Sequence, residues 1–236
     1  MRRMIGTPMF VIILLLMVSS AMSGRFDSIG DWLMNMVLMF PGIVIGLSFH
    51  EFGHAYAAVK CGDPTPRNQG RLTINPIAHV DPIGLACLFF VGFGWGVPVQ
   101  INPRNFRHPR RDELLVSLAG VIMNFILAVI FTGILRLLYM SPGFLSSSIG
   151  GIVWEVMLYV IQINLVLLVF NLLPVPPLDG FGIITQLFNL RNTRFYYTVY
   201  NNGFFILVIL ILFGVTDRVL GPIISFLYSF ITGIFF

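Results

Sequence analysis

The sequence is poor in charge. Only 10% of its 236 residues are Asp, Glu, Lys or Arg, whereas 57% are hydrophobic. Soluble domains carry about a quarter charged residues, because a chain folded in water needs a polar surface. The shortage therefore excludes an ordinary soluble domain. Since a transmembrane helix needs about 20 mostly apolar residues, we expect about six membrane crossings joined by short connections.

Cysteine is also scarce, and the two that occur, Cys61 and Cys87, form neither a CxxC pair nor a disulfide framework. The net charge of +4 is not arranged as a basic run interleaved with aromatic residues, which excludes nucleic acid as an expected partner. We interpret the arginines as topology signals instead, because cytoplasmic loops of membrane proteins are enriched in Lys and Arg. The expected partner surface is the lipid bilayer.

Six apolar segments are predicted to cross the membrane. They lie at about 8–22, 32–59, 113–140, 152–174, 203–213 and 222–236. The first follows two arginines and also has the features of a secretory signal peptide. We prefer a retained helix, because the distribution of positive charge then agrees with the topology.

That distribution assigns a cytoplasmic N-terminus. The inner side then carries Arg2, Arg3, Lys60, Arg67, Arg71, Arg104, Arg107, Arg110, Arg111, Arg191 and Arg194, and the outer side carries Arg25, Arg136 and Arg218. Counting the apolar stretch 83–96 as a further crossing would move the arginines at 104–111 to the outer side, against the rule that loops rich in basic residues stay inside. We therefore expect 83–96 to be a re-entrant or interfacial element.

Two stretches that flank this element alternate like β-strands, Arg71–Asn75 (RLTIN) and Val97–Asn102 (VPVQIN). The expected fold is an all-α polytopic membrane protein with about six transmembrane helices and a short re-entrant/β-loop element after the second. We expect one integral membrane domain over 1–236. Its parts are an N-terminal helix at about 8–22, a catalytic core at about 32–190 and C-terminal helices at about 203–236.

The second predicted span contains His50-Glu51-Phe52-Gly53-His54, a match to H-E-x-x-H. On a helix, residues four apart share a face, so both imidazoles can bind one metal ion. Glu51 would then lie where it can take a proton from water activated by zinc. Two histidines and a glutamate in an apolar helix cost several kcal/mol unless they have partners, and a metal ion supplies that partner.

Catalytic zinc usually has three protein ligands and one open position, so one ligand is missing from the motif. Asp179, in the segment NLLPVPPLDG at 171–180, follows the proline break of the fourth span, on the membrane side toward which the helix with HEFGH runs. The other acids, together with His79 and His108, fall in loops or toward the opposite side. Asp179 is therefore the preferred third ligand, and an N-cap after the prolines is the alternative.

HEFGH in an early span, followed by NLLPVPPLDG in a later one, resembles the site-2 protease family of intramembrane metalloproteases. The similarity extends to GRLTINPIAHVDPIG, FGWGVPVQINP and AGVIMN, at 70–84, 93–103 and 119–124. The chain is similar to the minimal branch of the family, without a PDZ or CBS domain. Its expected location is the cell membrane of a prokaryote.

The resemblance implies a three-helix core that holds one Zn²⁺ within the membrane, toward the cytoplasmic side. His50, His54 and Asp179 match the family's metal ligands. Glu51 matches its catalytic acid/base, and Asn171 matches a residue that helps to position the scissile carbonyl. The implied substrate is a transmembrane segment of another protein.

Other functions remain open from the residues alone. A peptidase that processes prenylated proteins would need different Glu and His partners in later helices. A metal-ion transporter would also use His and Asp, but it has no use for a base beside a closed ligand set. A metal-binding relative without activity is the third alternative, and the intact Glu51 disfavours it.

Overall fold

The computed structural model of the protein describes residues 29–91 and 94–236. Within these residues, five helices are long and apolar enough to cross a membrane. They are α1 (Ile29–Lys60), α3 (Pro109–Tyr139), α4 (Ser148–Asn171), α6 (Arg194–Leu212) and α7 (Val215–Phe235), while α2 (Pro82–Val91) and α5 (Asp179–Leu187) are shorter. The span expected at 8–22 lies outside the described residues. The all-α polytopic prediction is confirmed.

Local sequence explains where the long helices begin. Pro109 occupies the first turn of α3, where its missing N–H costs nothing. The side chain of Ser147 accepts a hydrogen bond from the N–H of Gly150 and caps α4. Thr193 caps α6 in the same way, through the N–H of Tyr196. As a result, α6 begins nine residues before the predicted start at residue 203. The tyrosines and asparagines in these first residues lower the hydropathy, so an apolar pattern does not reveal this part of the helix.

The two predicted loop strands are wrong. Among the described residues, the only β-type pairing is an isolated antiparallel bridge between Val80 and Gly96. In the second stretch, the N–H of Val97 donates to His79 O beside this bridge, whereas Val99 donates to the side chain of Glu51 and Asn102 donates to that of Asp63. The β-pattern therefore marks an irregular loop that other elements hold in place.

The first part of the stretch 83–96 belongs to the ten-residue helix α2, which at 1.5 Å per residue is about 15 Å long and too short to cross a bilayer. Gly84 packs against the backbone that follows α2, since a Cβ atom there would lie 2.0 Å from the carbonyl oxygen of Trp95. The glycines thus permit the tight fold-back that the sequence suggested. Whether this element enters the bilayer stays a prediction.

Three helices, α1, α3 and α4, pack together and form the centre of the molecule. Glycines on α1 allow the close approach: a Cβ at Gly42 would lie 2.8 Å from the side chain of Ile163, and one at Gly53 would lie 2.9 Å from the carbonyl oxygen of Ala119. Small residues at helix contacts are the usual means of packing inside a membrane, where apolar surface gains little from leaving lipid.

The core continues from this centre toward the last helix. Its largest cluster joins α3, α4 and α7 through Ala128, Leu135, Ile161, Leu165 and Ile231. On the side of the loops, Asp63 is fully buried and accepts hydrogen bonds from Thr65, Asn102 and Asn105. Burial opposes ionisation of Asp63, but these hydrogen bonds outweigh it and lower the pKa of the carboxyl. The loop is thereby fixed to the end of α1.

Candidate metal centre

Three potential ligands from two helices meet near the loop-facing end of α1. The Nε2 atoms of His50 and His54 lie 3.1 Å apart, and Asp179 Oδ2 lies 3.2 Å and 3.3 Å from them. The two histidines are on consecutive turns of α1, and Asp179 is the first residue of α5. The structure therefore brings together the three residues that the sequence selected as ligands.

Hydrogen bonds at the far side of each imidazole fix its tautomer. The Nδ1 of His54 lies 2.7 Å from the carbonyl oxygen of Val116, which can only accept, so Nδ1 carries the proton. The Nδ1 of His50 lies 2.6 Å from Asn124 Oδ1. The amide of Asn124 is oriented by donating to Gly46 O and to Asn164 Oδ1, so its oxygen faces His50. In the neutral form, both imidazoles therefore direct an Nε2 lone pair into the site.

The converging atoms suit a cation. Asp179 Oδ2 is buried without a hydrogen-bond donor, and two imidazole lone pairs point at it. Buried polar groups without partners are costly, whereas a metal ion would satisfy all three. A tetrahedral ion with zinc–ligand distances of about 2.0–2.1 Å separates its ligand atoms by about 3.3 Å, and the observed 3.1–3.3 Å fit this spacing.

The three side chains are largely enclosed by the protein. The side chains of His50, His54 and Asp179 are 6%, 12% and 18% exposed. Gly120 of α3 faces the histidines so closely that a Cβ atom would lie 2.5 Å from His54 Nε2. Any larger residue at position 120 would displace the two imidazoles.

Glu51 lies beside the ligands but makes a different contact. Its Oε2 accepts a hydrogen bond of 2.8 Å from the backbone N–H of Val99. The contact occupies one carboxylate oxygen and leaves the other free to hold a proton. The arrangement suits a base that must be oriented without being neutralised.

The other sequence candidates have different positions. Asn171 is the last residue of α4, and its amide donates to Leu167 O in its own helix, at 2.9 Å. His79 is fully buried and its Nε2 is 2.7 Å from Thr73 O, as expected for a hydrogen-bonded loop histidine. The N-cap alternative for Asp179 is wrong, because Leu178 occupies the cap position of α5 and no side chain caps that helix.

The amino-acid sequence around this site matches a known protein family. The model of peptidase family M50 matches residues 38–213, which includes both halves of the metal group. The chain belongs to peptidase family M50. This membership confirms the resemblance to site-2 proteases, and together with the five apolar helices it makes the chain an integral membrane protein.

The M50 relatives include a Bacillus subtilis protein named as a candidate zinc metalloprotease, YwhC, which is 43% identical over 145 residues, 61% of this chain and 66% of its own length. A Mycolicibacterium smegmatis protein with the corresponding name Rip2 is 29% identical over 82% of this chain and 74% of its own. The first match therefore spans slightly less than two thirds of that relative. The names support zinc as the metal.

A solved structure, the site-2 protease from Methanocaldococcus jannaschii, aligns with 92% of this chain and 85% of its own at 22% identity. Its TM-score is 0.44.

Several residues around the metal group were not identified from the sequence. Gly120 lies in the segment AGVIMN, which carried the resemblance but gave no sign of a contact with the histidines. From its place in the same segment, Asn124 could either support the site or bond a neighbouring helix, and it makes contacts of both kinds. Asn164 gave a signal of its own, since a lone Asn in an apolar helix needs a partner. Val99 acts through its backbone, which no side-chain pattern reveals.

Proposed function

We propose that the protein is an intramembrane zinc metalloprotease that hydrolyses peptide bonds within or near transmembrane segments of other membrane proteins. The supporting observation is the convergence of His50 Nε2, His54 Nε2 and Asp179 Oδ2, with Glu51 next to His50 on the same helix. These three side chains would hold one zinc ion. The bound ion would act as a Lewis acid that polarises the scissile carbonyl and lowers the pKa of water.

Glu51 accepts a proton from the attacking water as the water oxygen bonds to the carbonyl carbon. It returns that proton to the amide nitrogen as the C–N bond breaks, so the products are a carboxylate and a free amine. The Val99 N–H holds the carboxylate in one orientation during both transfers. Asn171, at the end of α4, helps to position the carbonyl in this proposal.

The substrate must present an extended backbone, because a peptide bond inside a helix is shielded by its own turn. The loop Val97–Asn102 passes within hydrogen-bond distance of Glu51. A substrate segment that pairs with the remaining backbone groups of this loop would lie beside Glu51. Arg71–Asn75 is the alternative docking segment.

The proposal includes the placement of the chain in its membrane. The basic loops lie on the cytoplasmic side of a prokaryotic cell membrane, with the N-terminus and the active site toward that side. The chain acts as a single domain over 1–236, with its catalytic core at 32–190.

The deciding experiment is Glu51→Gln, measured on purified protein with a membrane-spanning substrate and zinc analysis in parallel. We expect about one zinc per chain to remain while cleavage disappears, because the amide cannot carry the proton. Glu155→Gln on α4 is the matched control, since that carboxylate is exposed and outside the site. Retained cleavage in Glu51→Gln would contradict the mechanism.

Two further outcomes separate the remaining alternatives. Zinc flux into liposomes by the wild-type chain would favour a metal-ion transporter over a protease. Zinc binding without cleavage or flux would favour a non-catalytic metal-binding protein. Asp179→Ala tests the ligand set: zinc occupancy should fall, and full occupancy would show that another group is the third ligand.

A further inference from the structure

The C-terminal end of α5, opposite Asp179, is hydrogen-bonded to the first turn of α3. The guanidinium of Arg110 donates from Nε to Gln186 O at 2.6 Å and from Nη2 to Leu187 O at 2.8 Å. These are carbonyls at the C-terminus of α5, which lack partners within the helix. One planar fork therefore satisfies two of them at once.

A buried carboxylate makes a second connection one turn further along α3. Glu113 is 8% exposed; its Oε2 accepts from the side-chain amide of Gln186, and its Oε1 accepts from Arg191 Nη1 at 2.6 Å. Both oxygens are used, as a buried carboxylate requires. The hydrogen bond to Glu113 raises the pKa of Arg191. Glu113 thus joins α5 and the segment after it to α3.

The third contact lies closer to the metal group. A Cβ atom at Gly182 of α5 would lie 2.6 Å from Ser117 Oγ of α3. Arg110, Glu113 and Ser117 are separated by three and four residues, so they share one face of the helix. The same stripe continues to Gly120, which faces His50 and His54.

We propose that Glu113 and Arg110 are positioning residues for the zinc site. They hold α5 against one face of α3. The next turn of that face contacts His50 and His54 of α1, so Asp179 Oδ2 is placed close to both Nε2 atoms. Asp179 and Gln186 are seven residues apart, about 10 Å along the helix axis. Because α5 is only nine residues long, a shift of its C-terminal end would also move Asp179 at its N-terminal end.

This inference rests on the proposed zinc site, but its test requires no cleavage. The apo protein is prepared in detergent, and zinc affinity is measured by competition with a chromophoric chelator. The visible spectrum of the cobalt(II)-substituted protein reports the ligand geometry. The variants are Glu113→Ala, Glu113→Gln and Arg110→Lys, with Glu155→Ala on α4 as the exposed control.

We expect Glu113→Ala to bind zinc about 10- to 100-fold more weakly, the usual effect of losing a group that orients a ligand. Its cobalt bands should shift toward those of Asp179→Ala, which defines the loss of that ligand. Glu113→Gln keeps an acceptor for Gln186 and should recover part of the affinity. Arg110→Lys cannot span two carbonyls and should bind more weakly than wild type.

Unchanged affinity and unchanged cobalt bands in Glu113→Ala and Arg110→Lys would overturn the proposal, because a residue that only stabilises the fold would alter neither. If Glu113→Ala does not fold, Glu113→Gln and Arg110→Lys decide the question by the same two measurements. Absence of cleavage by wild-type protein that binds zinc would overturn the proposed function and leave this inference standing.

Discussion

The helices that carry the metal group and the last two helices are all apolar enough to cross a membrane, but they bury different fractions of their surface. In α1, α3 and α4 the most apolar 18-residue stretch is 28–33% buried, whereas in α6 and α7 it is 11% buried. Hydropathy therefore finds both kinds of helix without separating them. The two kinds of helix differ in how much of their surface packs against other helices.

The polar residues of the two regions differ in the same way. Asn124 and Asn164 are fully buried in the central helices, where one hydrogen-bonded chain links them to His50. Asn202 of α6 is exposed, and its amide donates only to the Thr198 carbonyl of its own helix. A polar side chain inside a membrane is costly unless it has a partner. The buried, hydrogen-bonded asparagines therefore indicate that the functional site lies within the central helices.

The strongest test of this contrast is a methyl group added to a glycine in each region. In Gly120→Ala the new Cβ would lie 2.5 Å from His54 Nε2 and 2.7 Å from His50 Cε1, so both ligands must move. We expect zinc affinity to fall by more than about 100-fold, beyond the usual effect of disturbing a group that only orients a ligand. Zinc titration of the apo protein measures it.

Gly233→Ala on α7 is the control, because a Cβ at that position meets nothing within 4 Å. Zinc affinity should stay unchanged there, and stability should rise by up to about 1 kcal/mol from the better helix propensity of Ala. Equal zinc affinity in both variants would contradict the difference between the regions.

A second comparison removes a large apolar side chain from each region. Leu165 of α4 is fully buried in the cluster with Ala128 and Ile161, so Leu165→Ala should cost about 2–4 kcal/mol of unfolding free energy through the cavity it leaves. Phe226 of α7 is 68% exposed, and Phe226→Ala should change stability by about 0.5 kcal/mol or less. Unfolding in mixed micelles compares the two. A larger loss for Phe226→Ala would show that α7 packs more tightly than its exposure indicates.

A third comparison uses the asparagines. Asn124→Ala removes the acceptor that fixes the tautomer of His50, and we expect about 10- to 100-fold weaker zinc binding. Asn202→Ala removes a hydrogen bond within one exposed turn and should leave zinc affinity unchanged. Chelator competition on both variants is the measurement. Equal affinities would mean that the bond to His50 does not orient it.

The central spans and the motif ligands could be predicted because their signals are local. Predicted spans at 32–59 and 113–140 agree with α1 and α3 to within four residues. His50 and His54 share a face by spacing alone. Asp179 required elimination among the acids and knowledge of the topology, because 125 residues separate it from His54.

The contacts that complete the site could not be predicted, since they come from the packing of distant segments. The hydrogen-bond partners of His50 and His54 are 74 and 62 residues away, and no periodicity encodes that register. The strand pattern at Val97–Asn102 was misleading for a related reason: the N–H groups of Val99 and Asn102 bond to carboxylates rather than to a neighbouring strand. Alternation describes a possible pairing, not the partner that is present.

The smallest predicted effect tests whether the loop belongs functionally with the central helices. Val99→Pro removes the N–H that donates to Glu51 Oε2, while Val99→Ala keeps it and serves as the matched control. A hydrogen bond to a charged group contributes about 1.5–3 kcal/mol. If the loop orients the base, cleavage should fall about tenfold in Val99→Pro and stay near wild type in Val99→Ala.

Zinc content distinguishes the explanations for that loss. Because Val99 contacts the base and not a metal ligand, Val99→Pro should retain about one zinc per chain. A parallel loss of zinc would mean that the proline disturbs the whole end of α1. Faster cleavage would mean that the loop obstructs the site, since freeing Glu51 from Val99 would then expose it to substrate. Only slower cleavage at full zinc content places the loop with the central helices as part of the catalytic apparatus.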